Sequence, residues 1–428
     1  MTGFVPTRLT HLLLKKALLR HRLDQIGVSA EHAFPALSTN GGRNVKSLDA
    51  DTLDRLQRQG LVEARADTTS CRGRLSLFKV QAINLELTYG CNMTCNHCLQ
   101  QSMRSGWSGI ELDVEVAKEA IREAQFAGLC ETGLNLTGGE ALLRGDVVFA
   151  LVTFASSLGI KVRLNSNSWW GIRSNFVVGG RKFPSPAHLV RHLKQLGLTM
   201  FAFSFDSRFE QMPSAFDGLV GSVSACEQEA MDYQVVCTGQ EREQFRIGAT
   251  LAARTGRPLE HLSLVPMQML DIGGAASAFT QARGARQDLA TLALQSDCRG
   301  KGFYHPTLLH IDPSGGVRSC LYAPGLRNLG NLNESSLIGI INRFPDNSVS
   351  LAFSKHEIRR VSEEIFLPEI WKTISHPCTA SVVIARLVDA ASGVAAAEGH
   401  PPDRDRLIQI NRSIAQELNL AYQPSILR

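Results

Sequence analysis

The chain has few cysteines for its size and no long uninterrupted apolar run. Ten cysteines among 428 residues are too few for a disulfide-stapled secreted scaffold. No apolar stretch reaches the roughly 18 residues that a membrane-spanning helix requires. The apolar run at residues 9–23 is broken by Lys15, Lys16 and Arg20 and lacks the small-residue cleavage site of a signal peptide. We therefore expect a cytoplasmic protein that does not cross a membrane.

Charge is unevenly distributed along the chain. Residues 1–82 hold 13 Lys and Arg against 7 Asp and Glu, whereas the remainder is nearly balanced and the whole chain carries +5. This distribution indicates a separate basic N-terminal module. The module either faces an acidic partner or presents an ordinary solvated helical surface.

Short apolar strands alternate with amphipathic helices from residue 83 onward, which is typical of repeated βα units and a parallel sheet. The predicted strands lie at 83–90, 132–136, 160–166, 200–206, 233–237 and 261–267. The predicted helices lie at 113–129, 145–158, 186–196, 219–230 and 241–255. Six units are too few for an eight-stranded barrel of about 250 residues. The sequence therefore predicts an α/β fold with a partial, open (β/α)6 barrel.

The flanking segments predict further domains. Residues 1–80 contain two helical segments, which form either a small winged-helix-like module or a helical cover. The barrel is predicted over residues 83–275. Residues 290–380 are rich in Gly and Pro and predict a different, irregular domain. The tail at residues 381–428 predicts two helices joined by the EGHPPD linker.

Three cysteines lie within eight residues on the loop that follows the first strand: Cys91, Cys95 and Cys98 in the segment CNMTCNHC. A [4Fe–4S] cluster takes four ligands, so three thiolates would leave one iron open to a chelating small molecule. A zinc site with His97 as the fourth ligand is the alternative, although this spacing is unusual for zinc. Ferredoxin-type runs use shorter gaps and a fourth Cys followed by Pro, which this segment lacks.

A Gly-Gly-Glu turn follows the second strand, at Gly138, Gly139 and Glu140. Glycines let the backbone approach a ligand closely, and the carboxylate can bind an ammonium group. In a parallel barrel the carboxyl ends of all strands open at the same mouth. We therefore expect this turn to face the cysteine loop.

The strand LELTYG, the loop CNMTCNHC, the segment LTGGEALLR and the succession of six βα units resemble the radical S-adenosylmethionine (radical SAM) enzymes over residues 83–275. The resemblance implies that the three cysteines hold a [4Fe–4S] cluster. The open iron would chelate the amino and carboxylate groups of S-adenosylmethionine (SAM). The residues that the resemblance places around SAM are His97 near the adenine, Gly138, Gly139 and Glu140 at the ammonium, and Asn165, Asn167, Ser204 and Asp206 near the ribose and carboxylate.

The region after the barrel resembles the twitch or SPASM extensions of radical SAM enzymes, which carry auxiliary iron–sulfur clusters. Cys298, Cys320 and Cys378 would ligate one auxiliary cluster, with His376, another side chain or the substrate as the fourth ligand. The full SPASM pattern is absent, because no cysteine lies between 320 and 378. Unrelated buried cysteines are the alternative, since free Cys is often buried.

The resemblance implies an enzyme that reductively cleaves SAM at the cluster to a 5′-deoxyadenosyl radical, which then abstracts hydrogen from a substrate. The basic N-terminal segment favours a peptide-modifying maturase, and a small-molecule natural-product dehydrogenase or other biosynthetic enzyme is the alternative. The cluster would need a small electron donor such as flavodoxin or ferredoxin. No nucleic-acid or membrane partner is expected. A non-catalytic iron–sulfur or zinc regulatory protein is the alternative from a different class.

Overall fold

The computed structural model describes residues 80–420, apart from the short gaps given in the next sentence. The gaps are 96, 100–108, 207–208, 210–211, 213, 240, 268–287, 297–300, 305, 324, 327–328, 345–346, 355–356, 372–373, 375 and 419. Nearly all of the predicted basic N-terminal module, residues 1–80, therefore lies outside the described residues.

The barrel section follows the predicted alternation of strands and helices, with one additional hairpin. Its elements are β1 (Ala82–Glu86), α1 (Val114–Phe126), β2 (Gly133–Thr137), α2 (Gly145–Ser157), β3 (Val162–Ser166), β4 (Phe176–Val178), β5 (Arg181–Phe183), α3 (Pro186–Leu196), β6 (Leu198–Ser204), α4 (Ala215–Gln228), β7 (Asp232–Thr238), α5 (Glu241–Thr255) and β8 (Leu264–Met267). The hairpin β4–β5 interrupts the crossover from β3 to α3 and was not predicted. The other strands and helices overlap their predicted ranges.

The second half of the described chain contains three short strands and six helices. They are α6 (Leu289–Ala293), β9 (Leu308–Ile311), β10 (Gly316–Arg318), β11 (Gly330–Asn331), α7 (Leu337–Arg343), α8 (Ser348–Ser354), α9 (Ile358–Ile365), α10 (Pro377–Glu398) and α11 (Arg404–Glu417). Helices α10 and α11 are the two predicted tail helices. The predicted boundary at residue 380 falls inside the first turn of α10.

One sheet of nine strands contains both halves, in the order β11-β10-β9-β1-β2-β3-β6-β7-β8. The pairs along the run from β9 to β8 are all parallel, whereas β10 and β11 are antiparallel to their neighbours. The parallel run confirms the predicted partial barrel. The sheet does not stop at residue 275, because β9 pairs with β1 at its free edge.

Local signals explain where the barrel helices begin and end. The Asp113 carboxylate accepts hydrogen bonds from the backbone N–H groups of Glu115 and Val116 and caps α1, as expected of an N-cap aspartate. Helix α3 begins with Pro186 and ends at Gly197, which has φ of +103°. Proline suits the first helical turn because its missing N–H would be unpaired there, and glycine suits the left-handed C-terminal position.

Helix α10 is the centre of a second apolar core. It packs against α6, α8, α9 and α11. An 18-residue window of this 22-residue helix has a mean hydropathy of 1.5, so by length and composition alone the helix could cross a membrane. The expectation that no apolar stretch reaches this length is therefore wrong. Half of the apolar window is nevertheless buried inside the protein. The Arg386 side chain of α10 pairs with Glu417, as in a core helix.

Candidate functional site

The carboxyl ends of β1, β2, β3 and β6 surround a cavity of about 360 Å³. The residues that the sequence analysis placed at the cluster and at SAM all line this cavity. They are Cys91, Cys95, His97, Cys98, Gly138, Gly139, Glu140, Asn165, Asn167, Ser204 and Asp206. The fold thus brings together side chains from four strand ends that are separated by more than a hundred residues of sequence.

All three cysteines of the loop line the cavity. Cys95 is buried, and its carbonyl accepts a hydrogen bond of 3.2 Å from the Cys98 backbone N–H. The Asn167 Nδ2 atom lies 3.7 Å from the Cys91 sulfur and 2.8 Å from Asn92 Oδ1. Hydrogen bonds to a ligand sulfur tune the reduction potential of an iron–sulfur cluster, so Asn167 is placed to influence a cluster held here.

The Gly-Gly-Glu turn is bonded directly to the segment that leads into the cysteine loop. The Gly139 N–H donates to Thr88 O at 2.6 Å, and the Glu140 N–H donates to Gly90 O at 2.9 Å. A Cβ atom on Gly138 would lie 2.5 Å from Thr88 O, and one on Gly139 would lie 2.1 Å from Gly90 O. Both glycines are therefore required by contact with the backbone before Cys91, a role that the sequence analysis did not foresee.

The Glu140 side chain is buried and accepts three hydrogen bonds from the protein. Its Oε2 accepts the Asn167 N–H at 2.8 Å, and its Oε1 accepts the Ser166 hydroxyl at 3.0 Å and the Leu142 N–H at 3.3 Å. Burial raises the pKa of Glu140 to about 7, although these hydrogen bonds act in the opposite direction. The Trp169 side chain also lowers this pKa, so protein groups surround most of the carboxylate.

The side chains of His97 and Asp206 form a hydrogen-bonded pair at the cavity wall. The His97 Nε2 atom lies 2.9 Å from Asp206 Oδ2, and both side chains are largely buried. The imidazole packs edge-on against the Phe209 ring, with the ring centroids 5.6 Å apart. The Nδ1 atom of His97 is buried and has no hydrogen-bond partner in the described part of the chain. A polar atom in this situation is available to a ligand.

Two further predicted SAM residues lie on the cavity side of their strands. Ser204 ends β6, and Asn165 lies one residue before the end of β3. The Oδ1 atom of Asn165 is buried and, among the described residues, has no hydrogen-bond partner. These positions are compatible with the predicted ribose and carboxylate contacts.

Several cavity-lining residues were missed by the sequence analysis, namely Asn84, Glu86, Asn135, Thr137, Arg163 and His310. All belong to strands, and their apolar neighbours Ile83, Leu85, Leu134, Leu136, Val162 and Leu164 are buried in the core on the other face. The sequence contains the signal, because each of the first three strands alternates apolar and polar residues.

The predicted auxiliary cluster is only partly covered by the described residues, because Cys298 lies outside them. Cys320 and Cys378 are half-buried. Burial raises the pKa of Tyr322, and charges at Cys378 and Cys320 raise it further. Tyr322 also lines the main cavity. The His376 Nδ1 atom accepts the Cys378 N–H at 3.1 Å and caps α10.

In the described part of the chain, none of the cysteines forms a disulfide. Nor do three or more His, Cys, Asp or Glu side chains there form a group that could hold a single metal ion. The donor set that faces the cavity is three thiols, a glycine turn with a carboxylate, and polar strand ends. This set fits a [4Fe–4S] cluster together with a ligand that carries ammonium, carboxylate and ribose groups.

Residues 85–218 match the Radical SAM superfamily. This segment spans β1 to the start of α4 and includes the cysteine loop and the Gly-Gly-Glu turn. The chain therefore carries a radical SAM domain. The superfamily uses a [4Fe–4S] cluster and SAM, in agreement with the donor set of the cavity.

Particular relatives share this domain with the chain. The AdoMet-dependent heme synthase of Methanosarcina barkeri is 30% identical over 191 residues, which are 42% of this chain and 50% of that protein. The AdoMet-dependent heme synthase of Nitratidesulfovibrio vulgaris is 23% identical over 189 residues, which are 42% and 47%. The chain thus spans about half the length of the curated relatives it matches. A solved structure described as native anSMEcpe with bound AdoMet has 12% identity and a TM-score of 0.42, and covers 64% of this chain and 83% of its own.

Proposed function

We propose that this protein is a radical SAM enzyme in which Cys91, Cys95 and Cys98 hold the cluster and the adjoining cavity holds SAM and a substrate. The observation that supports this most directly is the shared cavity, which the three cysteines line together with the Gly-Gly-Glu turn. When bound, the cluster and SAM would supply reductive cleavage to a 5′-deoxyadenosyl radical that abstracts hydrogen from the substrate.

The protein's own part is to fix the two ligand-binding loops relative to each other. The backbone hydrogen bonds from Gly139 and Glu140 to the segment before Cys91 tie the SAM cradle to the cluster loop. The Glu140 carboxylate would accept a hydrogen bond from the SAM amino group. A fixed arrangement of this kind lowers the entropic cost of bringing the reacting groups into position.

The polar groups around the cavity would orient the nucleoside part of SAM. Asp206 holds the His97 imidazole in one orientation, so its buried Nδ1 edge can meet a base or ribose. Asn165 and Ser204 offer an amide and a hydroxyl at the ends of β3 and β6. Phe205 and Phe209 close the same wall with apolar rings and would help to exclude water.

A small molecule is the second candidate substrate, beside the predicted peptide. Two of the curated relatives are AdoMet-dependent heme synthases, which favours biosynthetic chemistry on a small molecule. A peptide-modifying role rests on the basic segment 1–82, nearly all of which lies outside the described residues. Either substrate requires a reductant, and we keep a flavodoxin or ferredoxin as the expected donor and the reducing cytoplasm as the expected location.

The auxiliary cluster at Cys298, Cys320 and Cys378 stays a prediction. Two of its three cysteines lie near Tyr322, which reaches the main cavity. A cluster at this position would lie next to the substrate. The iron content of a Cys378→Ala variant, compared with that of the unaltered protein, tests it independently of the SAM site.

Anaerobic reconstitution with iron and sulfide, followed by dithionite and SAM, tests the proposed enzyme. We expect reductant-dependent 5′-deoxyadenosine from the unaltered protein and none from Cys95→Ala, which should also lose the iron of one cluster. Cys226→Ala is the matched control, because this thiol is buried in α4 away from the cavity. A protein that binds one zinc at the loop, or forms no deoxyadenosine, would be a regulatory protein instead.

A further inference from the structure

A row of polar side chains runs across five neighbouring strands, and four of its five members line the cavity. We call it the polar row, and its members are Arg163 on β3, Asn135 on β2, Asn84 on β1, His310 on β9 and Arg318 on β10. Strand pairing places each opposite the next. Branched apolar residues usually fill the interior of a parallel barrel, so a polar layer there requires a reason.

Four members of the polar row each have a hydrogen-bond or ion-pair partner in the protein, although the Asn135 Oδ1 and Arg318 Nε atoms are buried without one in the described chain. Arg318 is paired with Glu86, and both side chains are 1% exposed. Burial and the charge of Arg318 hold the pKa of His310 well below its usual value, so the imidazole is neutral. The Asn84 Nδ2 atom lies 2.9 Å from His310 Nδ1, and Asn135 Nδ2 donates to Asn84 Oδ1.

Arg163, at the other end of the row, is the exception. It lines the cavity, and its Nε atom is buried without a hydrogen-bond partner in the described chain. No carboxylate among the described residues pairs with it. The three acidic side chains that line the cavity all have other partners: Glu86 is paired with Arg318, Asp206 with His97, and Glu140 accepts hydrogen bonds from Ser166 and Asn167 at the end of β3.

A partly buried guanidinium without a partner is unfavourable unless a ligand compensates it. Burial lowers the pKa of Arg163, but arginine stays protonated in proteins. An anion entering the cavity would meet a cation that is already partly desolvated and fixed on a strand.

We propose that Arg163 binds a carboxylate group of the substrate at the floor of this cavity. The planar guanidinium matches a carboxylate with two parallel hydrogen bonds. One cation balances one carboxylate, whereas a phosphate monoester with a charge of about −1.5 to −2 would leave excess negative charge in the cavity. The inference rests on the proposed function, because it names the substrate class of that same site.

The SAM carboxylate is a rival occupant, and position along β3 argues against it. A strand rises about 3.3 Å per residue, so the backbone of Arg163 lies about 13 Å along the chain from that of Asn167. The Asn167 side chain contacts Cys91, at the loop where the SAM carboxylate would be chelated. Arg163 thus lies deeper in the barrel than the expected amino-acid end of SAM.

The first test measures carboxylate binding to the reconstituted, SAM-loaded full-length protein. Acetate is titrated at constant ionic strength against chloride while the unfolding temperature is recorded, since a ligand of the native state raises it. We expect Arg163→Gln to weaken apparent acetate binding at least about tenfold, and Arg163→Lys, which keeps the charge, to weaken it less. Arg191→Gln, on the surface, should bind acetate as the unaltered protein does.

Equal acetate dependence in the Arg163→Gln and unaltered proteins would overturn the proposal, even where the variant is less stable overall. Inorganic phosphate that stabilises the unaltered protein as much as acetate does, through Arg163, would overturn the choice of a carboxylate. The titration compares each variant with and without the anion, so a general loss of stability does not affect the result.

The second test separates the substrate from SAM. Binding of SAM and of decarboxylated SAM is compared in the unaltered protein and in Arg163→Gln. We expect the ratio of the two dissociation constants to be the same in both proteins. A variant that weakens SAM alone would assign Arg163 to the cofactor and overturn the proposal. Failure of the proposed enzyme appears separately, as absence of deoxyadenosine from the unaltered protein.

Discussion

Replacing Glu140 with glutamine separates the cost of a buried carboxylate from the hydrogen bonds that hold it. The side chain is 1% exposed and accepts hydrogen bonds from Asn167, Ser166 and Leu142. Glutamine has the same shape but only one oxygen. One of the three protein donors then faces an NH₂ group, and an unpaired buried donor costs about 1–3 kcal/mol.

The charge contributes in the opposite direction. The pKa of Glu140 is raised from 4.5 to about 7, and each unit corresponds to 1.36 kcal/mol. Ionised Glu140 therefore costs the folded state about 3 kcal/mol above pH 7, where the unfolded chain ionises freely. This cost vanishes below pH 4.5, where the carboxyl group is neutral in both states. Between these values the folded protein binds more protons, so its stability falls as the pH rises.

Urea unfolding of the unaltered protein and of Glu140→Gln at pH 5 and pH 8 checks this account. The glutamine variant does not titrate at this position, so its stability relative to the unaltered protein should rise by about 2–3 kcal/mol from pH 5 to pH 8. Glu229→Gln is a useful control, because Arg191 lowers the pKa of Glu229 on the surface and the pH trend should be small and reversed. An equal difference at both pH values would refute the reasoning.

The same carboxylate links ligand binding to protons. A hydrogen bond from the SAM amino group to Glu140 favours the ionised carboxylate, so SAM should bind more tightly as the pH rises through 7. If only the ionised form binds, affinity rises about tenfold from pH 6 to pH 8. Calorimetry at pH 7 in buffers of different ionisation enthalpy should show proton release on binding. Binding without proton exchange would show that Glu140 does not contact the SAM amino group.

Three other substitutions test the packing around the site. Gly139→Ala places a Cβ 2.1 Å from the Gly90 carbonyl and should abolish cluster incorporation, measured as iron content. Gly393→Ala in α10 is the control, because its Cβ would meet no atom within 4 Å. This control should be neutral or should stabilise the protein by up to about 1 kcal/mol. Glu86→Gln leaves the Arg318 charge buried and should lower the free energy of unfolding by about 3–5 kcal/mol in urea. Asp113→Ala removes the cap of α1 and should cost about 1 kcal/mol in the same assay.

Local sequence patterns were sufficient to predict the barrel strands and the residues at their carboxyl ends. Cys91 and Glu140 are far apart in sequence but follow neighbouring parallel strands, and this topology alone brings their loops together. Glycine, cysteine and capping residues are local signals, so helix and loop positions follow from them. The position of β9 beside β1 could not be predicted this way, because nothing in the TLLHID segment indicates which sheet edge it joins.

The polar row was missed for a different reason. Asn84, Asn135 and Arg163 alternate with buried apolar residues, and such alternation normally indicates a sheet face that meets solvent. Helices cover the outer face of this barrel, so the polar face turns inward to the cavity. Only the three-dimensional closure shows which carboxylates pair with which cations, because the partner of Glu86 is 232 residues away.

The pairing of β1 with β9 gives the molecule a delayed assembly step. Asn84 and His310 are 226 residues apart, so at about 5–20 residues per second a ribosome completes β9 roughly 10–45 s after β1. During that interval one edge of β1 has no neighbour, and such edges invite pairing with other chains. Until β9 is synthesised, this edge of β1 is therefore a site at which the nascent protein can pair with other chains.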